Sequence, residues 1–155
     1  MIELAQEVGA ALKARGLKLV TAESCTGGWV SMALTAVAGS SDWFERGYVT
    51  YSNAAKREDL GVTEETLRRH GAVSEETARE MAAGALKRGG GRVALAITGV
   101  AGPTGGSSAK PVGTVSFAWA HGGKISSETR RFDGDRESVR RQSVLHALQG
   151  LLQRL

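Results

Sequence analysis

Between Arg92, which follows the triple glycine Gly89-Gly90-Gly91, and a second glycine-rich stretch at Thr98 to Gly106, the chain reads Val93-Ala94-Leu95-Ala96-Ile97 with no polar side chain. A strand with one face in water alternates apolar and polar residues, whereas a strand without alternation is covered on both faces. This run therefore requires one layer of structure above it and another below. At 155 residues the chain has the size of one ordinary domain, able to bury about two-thirds of its unfolded surface.

The remaining periodicities supply those layers. Ile2, Ala5, Val8 and Leu12 fall at helical spacing, with Gly16 as the stop. Leu17 to Ala22 reads as a strand, followed by the turn Glu23-Ser24-Cys25-Thr26-Gly27-Gly28 and an apolar helix from about Trp29 to Val37. Gly39 to Trp43 breaks that helix, and Tyr48-Val49-Thr50-Tyr51 is β-prone. Asn53 reads as the cap of a short helix through Lys56 and Leu60, and Thr63 and Ser74 as caps of two more. Thr114 to Ala120 alternates large and small residues as a strand. His121-Gly122-Gly123 is a hairpin turn into a polar strand ending near Phe132, and Asp135 caps a last amphipathic helix. Alternating helices and strands followed by a hairpin predict an α/β fold, a three-layer α/β/α sandwich on a mixed sheet, as a single domain over 1–155.

Composition narrows the function. Hydrophobic residues at 41% and charged residues at 23% are the balance of a soluble globular protein. No apolar run reaches the length of a bilayer span, and the acidic, amphipathic start is unlike a signal peptide, so the expected location is the cytoplasm without membrane association. Cys25 is the only cysteine, which rules out an internal disulfide. The net charge of +4 is scattered, without a basic tail or aromatic-basic interleaving. That distribution argues against nucleic acid and suits an anionic metabolite.

Two glycine turns are the candidate binding elements. Glu23 to Gly28 joins a strand to a helix start, where amides and the helix dipole favour a phosphate or an oxyanion, although the lysine and spacing of a P-loop are missing. The plainer reading is a capped helix start with glycines for close packing. Thr98-Gly99-Val100-Ala101-Gly102-Pro103-Thr104-Gly105-Gly106 follows the most buried strand, at the end where α/β sheets bind ligands. Cys25 is either a thiol activated by a helix N-terminus or a small buried residue. Lys56 sits at the positive end of a helix dipole beside Arg57, an arrangement that favours the neutral amine a base requires. The plain alternative is a solvated lysine. Arg136 and Arg140, four apart on one helix face, form either a phosphate clamp or surface ion pairs with Asp135 and Glu137. None of His70, His121 and His146 has metal-ligand spacing, so no metal site is expected.

Several stretches, taken in order, resemble one family over nearly the whole chain. They are Glu23-Ser24-Cys25-Thr26-Gly27-Gly28, Gly39-Ser40-Ser41 with Phe44, and Gly47-Tyr48-Val49-Thr50-Tyr51-Ser52-Asn53 leading to Lys56. Gly71-Ala72-Val73-Ser74, Thr98-Gly99-Val100-Ala101-Gly102-Pro103, Lys110-Pro111-Val112-Gly113-Thr114 and Gly134-Asp135-Arg136 complete the set. The family is the CinA C-terminal domain, also described as nicotinamide-nucleotide amidohydrolase (NMN deamidase). The resemblance implies hydrolysis of the carboxamide of nicotinamide mononucleotide (NMN) to nicotinate mononucleotide and ammonia, with a serine nucleophile, a lysine base and no cofactor or metal. Carried over by position, Ser41 attacks the amide carbon, Lys56 takes its proton, and Tyr51 and Ser24 complete the polar network. Thr98 and Arg136 help hold the substrate, and Thr26, Gly27, Gly99 and Gly102 belong to the two turns that face it. Many family members also carry an N-terminal pyrophosphatase-type domain, for which 155 residues leave no room.

The rival reading is a non-catalytic nucleotide-binding or competence-related interaction module, supported by the basic balance and the two anion-ready turns. Trp29, Trp43 and Trp119 are candidates either for a homodimer interface or for the core.

Overall fold

The computed structural model describes residues 1–155. Its elements are α1 (Ile2–Ala14), β1 (Leu19–Glu23), α2 (Trp29–Thr35), β2 (Phe44–Val49), α3 (Asn53–Leu60), α4 (Glu64–His70) and α5 (Glu75–Gly89). β3 (Val93–Gly99), β4 (Thr114–His121), β5 (Lys124–Arg131) and α6 (Arg136–Arg154) follow. The five strands form one sheet in the order β2-β1-β3-β4-β5. β2, β1 and β3 run parallel, and β4 and β5 are antiparallel additions. The sheet is mixed, as expected.

The unalternating run is covered on both faces, but unequally. Val93, Leu95 and Ile97 of β3 join Val115, Phe117 and Trp119 of β4 on one face, under α1, α2 and α6. Ala94, Ala96, Ala118 and Ala120 make the other face, under α3 and α5. Bulky side chains thus build one core layer, each worth about 1.5–3 kcal/mol when fully buried. The alanine face instead lets α5 lie close to the sheet.

That closeness extends to α3. A Cβ on Gly84 of α5 would lie 1.8 Å from the Leu60 carbonyl oxygen, a backbone atom with little freedom to retreat. Gly84→Ala gains about 1 kcal/mol of helix propensity, but the overlap outweighs it. The expected result is a net loss of about 2 kcal/mol and a fall in melting temperature of roughly 4–8 °C, read by thermal denaturation.

Local signals set most element ends. Thr63, Ser74 and Asp135 each accept a hydrogen bond from the amide three residues on, as expected of caps. α3 is capped one residue earlier than the sequence suggests: the Ser52 hydroxyl accepts from the Ala55 amide, and Asn53 is the first helical residue. β2 also begins and ends earlier than its β-prone residues imply. Thr50 and Tyr51 lie beyond it, in the connection to α3. Gly122 and Gly123 both have positive φ, which a tight β4–β5 hairpin turn requires. Trp43 and Trp119 are core residues, 3% and 2% exposed, and Trp29 is half-buried under the Arg140 guanidinium. No helix is long and apolar enough to cross a membrane.

Candidate active site

Because β1, β2 and β3 are parallel, their carboxyl ends share one edge of the sheet, and the connections leaving them meet there. A cavity of about 280 Å³ opens at this edge. It is lined by Ser24 and Cys25 after β1, Tyr51 after β2, Lys56 of α3, Ala72 and Val73, the turn from Thr98 to Gly105, and Arg136 at the start of α6.

Lys56 is the central group. It is 1% exposed, and its Nζ donates to the Ser24 hydroxyl at 2.9 Å and to the Thr50 carbonyl at 2.6 Å. No carboxylate compensates its charge. Burial pushes its pKa down to about 8, against a smaller opposing effect of Cys25. Desolvation is the leading cause, and the neighbouring Arg57, to which the sequence also pointed, is not among the causes. Some neutral amine is therefore available near neutral pH: about one molecule in ten at pH 7, against about one in three thousand for an ordinary lysine. An amine in that state, hydrogen-bonded to a hydroxyl, is able to take the hydroxyl's proton.

Cys25 is not an activated thiol. Its burial pushes the pKa up to about 12, so it behaves as a small core residue.

Ser41 is elsewhere. It lies exposed in the one-turn 3₁₀ segment Ser40–Asp42 ahead of β2, and Asp42 pairs with Lys13 at the end of α1. The parallel register pairs Leu19 with Phe44 and Glu23 with Val49, so Ser41 sits at the amino ends of the strands and Ser24 at their carboxyl ends. Five residue steps of β2 separate the two edges, about 17 Å at roughly 3.3 Å each. Within one chain Ser41 therefore does not meet Lys56, and the hydroxyl that does is that of Ser24.

The first glycine turn holds an internal anion that the sequence did not reveal. Glu23 is fully buried. Its Oε1 accepts from the Thr26 hydroxyl at 2.7 Å and the Val30 amide at 2.9 Å. Its Oε2 accepts from the Ser31 amide at 3.0 Å and the Ser31 hydroxyl at 2.8 Å. The carboxylate thus occupies the N-terminus of α2, in keeping with the plainer reading of a capped helix start and not with a site there for a phosphate or oxyanion. Thr26 is spent on this contact, and neither Thr26 nor Gly27 lines the cavity. Arg140 does not clamp a phosphate with Arg136 either, since its guanidinium donates to the carbonyls of Cys25 (3.0 Å) and Thr26 (3.2 Å). The one sequence signal for Glu23 was its place beside a turn, and that does not show which way its carboxylate faces.

The other expected residues do line the cavity. Thr98 faces it from the end of β3, although its hydroxyl donates to the Ala72 carbonyl at 2.8 Å and so holds the wall formed by Ala72 and Val73. Gly99 and Gly102 belong to the second turn. Arg136 bridges the mouth, donating to the Gly102 carbonyl at 2.8 Å and the Tyr51 hydroxyl at 3.0 Å. Tyr51 is 61% exposed, a residue of the rim. The histidines lie outside: His146 sits 2.6 Å from Glu128 and ties α6 to β5.

A buried serine–lysine pair at the carboxyl edge of an α/β sheet defines a hydrolase-like cleft. The model for the CinA C-terminal domain matches residues 1–155, and the chain belongs to that family. "Nicotinamide-nucleotide amidohydrolase PncC" from Escherichia coli K12 is 57% identical over 155 residues, covering 99% of this chain and 93% of that protein. The protein of the same name from Pseudomonas putida is 56% identical over 150 residues, covering 97% and 94%. Among solved structures, a competence-damaged protein (CinA) superfamily protein from Escherichia coli superposes with a TM-score of 0.97. It is 43% identical, and the match covers 100% of this chain and 91% of that one.

Proposed function

We propose that this protein hydrolyses the carboxamide of nicotinamide mononucleotide, with Ser24 as nucleophile and Lys56 as its base. The observation that carries the chemistry is the hydrogen bond between the buried Lys56 amine and the Ser24 hydroxyl, on the wall of a cavity with no carboxylate in its lining. The substrate class comes from the amidohydrolases named above, which match this chain over nearly their full length.

In the first step the Ser24 oxygen bonds to the amide carbon as Lys56 takes its proton. The tetrahedral intermediate then expels ammonia, which leaves with the proton from Lys56. Water attacks the resulting ester, Lys56 accepts and returns its proton, and the carboxylate product departs from a restored Ser24. The amide of Cys25 donates to no backbone carbonyl and lies next to the nucleophile, where an oxyanion needs a donor. Tyr51 contributes through Arg136 at the rim. A purely binding module has no use for an uncompensated amine kept out of water, which favours catalysis over the interaction reading.

The test is ammonia release from NMN across pH. Only the neutral amine accepts the Ser24 proton, so kcat/KM rises with pH along a limb centred near 8. A profile flat from pH 6 to 9 excludes Lys56 as the base, and no release at any pH excludes the reaction.

A further inference from the structure

The turn that carries Ser24 has little of its own to hold it in one shape. Gly27 and Gly28 both take positive φ and bring no side chain to pack. One backbone hydrogen bond, from the Gly27 amide to the Ser24 carbonyl at 3.0 Å, closes the turn. The buried Glu23 carboxylate steadies it from the core side through the Thr26 hydroxyl. The peptide between Cys25 and Thr26 is left to Arg140, 115 positions further along the chain. Its Nε donates to the Cys25 carbonyl at 3.0 Å and its Nη2 to the Thr26 carbonyl at 3.2 Å. The Cys25 carbonyl accepts from nothing else.

Arg140 makes this grip from a firm base. Val139, Val144 and Leu148 seat α6 in the core, so the root of the side chain does not move with the turn. Its guanidinium lies 5.5 Å from the centre of the Trp29 ring, a cation–π contact that limits where the fork can swing. Arg140 does not line the cavity, so its reach into the chemistry runs through the turn.

We infer that Arg140 is a positioning residue for the hydrolysis: by gripping the carbonyls of Cys25 and Thr26 it fixes the turn that sets the Ser24 hydroxyl on Lys56. The inference deepens the serine–lysine reading above and rests on it.

The experiment compares NMN hydrolysis by wild type, Arg140→Ala, Arg140→Lys and Arg141→Ala, each checked for folding by circular dichroism. A misplacement of about 1 Å at the reacting atoms costs on the order of 100-fold, so Arg140→Ala lowers kcat by about 10- to 100-fold. KM stays within about twofold, because the groups lining the cavity are untouched. The pH limb near 8 stays in place, since Lys56 keeps its burial. Arg140→Lys keeps the charge but lacks the fork, and recovers only part of kcat; it also carries the test if Arg140→Ala does not fold. Arg141→Ala removes the same charge from the exposed neighbour and stays within about twofold of wild type.

A second readout needs no NMN. Phenylmethanesulfonyl fluoride labels Ser24 as its oxygen bonds to sulfur, the S–F bond breaks, fluoride leaves and Lys56 takes the proton. Intact mass follows the adduct, and Arg140→Ala slows its formation by about 10-fold or more. A loss carried by KM, a displaced pH limb, full recovery in Arg140→Lys or labelling at the wild-type rate in Arg140→Ala each overturns the positioning role. Slowed labelling beside a wild-type protein that releases no ammonia from NMN refutes the amidohydrolase reading and leaves the positioning role standing. A wild type that neither labels nor releases ammonia overturns both.

Discussion

Ser24→Ala lowers NMN hydrolysis by on the order of 10⁴-fold or more, the scale of removing the nucleophile from a hydrolase, whereas Ser41→Ala stays within about twofold of wild type. The contrast follows from the sheet. Ser24 accepts from Lys56 at the carboxyl edge, and Ser41 lies exposed ahead of β2 at the other edge. Steady-state ammonia release from the two variants decides between them. Full activity in Ser24→Ala, or loss in Ser41→Ala with the fold intact by circular dichroism, reverses the assignment. Cys25→Ala separates the third candidate. Its raised pKa leaves almost no thiolate at neutral pH, so the variant keeps activity within severalfold.

The second large effect is at Lys56. Lys56→Met abolishes turnover, by at least about 10³-fold, while the protein stays folded with nearly unchanged stability. Two opposed contributions set that balance. The folded-state pKa is depressed, so the unfolded chain binds the proton more readily between pH 8 and 10.5; stability rises with pH through this window, and below it the buried charge is a standing cost. Methionine removes that cost. It also strips the Thr50 carbonyl of its donor, a loss of about 1–3 kcal/mol. The melting temperature therefore moves by only a few degrees while activity disappears. Lys56→Arg is inactive for a different reason, since a guanidinium cannot give up its proton, and it destabilises the fold because that charge stays buried. Thermal scans beside rate measurements test both variants; substantial turnover by Lys56→Met eliminates the amine as base.

What could be read from the sequence was local. The apolar run of β3, the glycine pair of the β4–β5 turn and the caps Thr63, Ser74 and Asp135 depend on neighbours within a few residues, and the structure has them where the pattern places them. Lys56 was identified, but for an electrostatic reason that burial supersedes. Ser41 shows what a linear reading cannot contain. Which end of β2 faces the cavity depends on the parallel pairing of β2 with β1, a contact between segments some 25 positions apart. Glu23 was hidden for a related reason: a carboxylate at the end of a strand buried along its whole length becomes intelligible only once α2 has docked its amides against it.

The placement of the β4–β5 hairpin has a practical consequence. Its glycine tip, Gly122–Gly123, follows His121, which pairs with Val93 at the edge of the sheet opposite the cavity, and the end of α6 reaches the same edge, where His121 meets the Arg154 carbonyl. Exposed tips of this kind tolerate added chain. A tether fixed there, to a surface or to a second enzyme, presents the cavity outward and leaves access to it unobstructed.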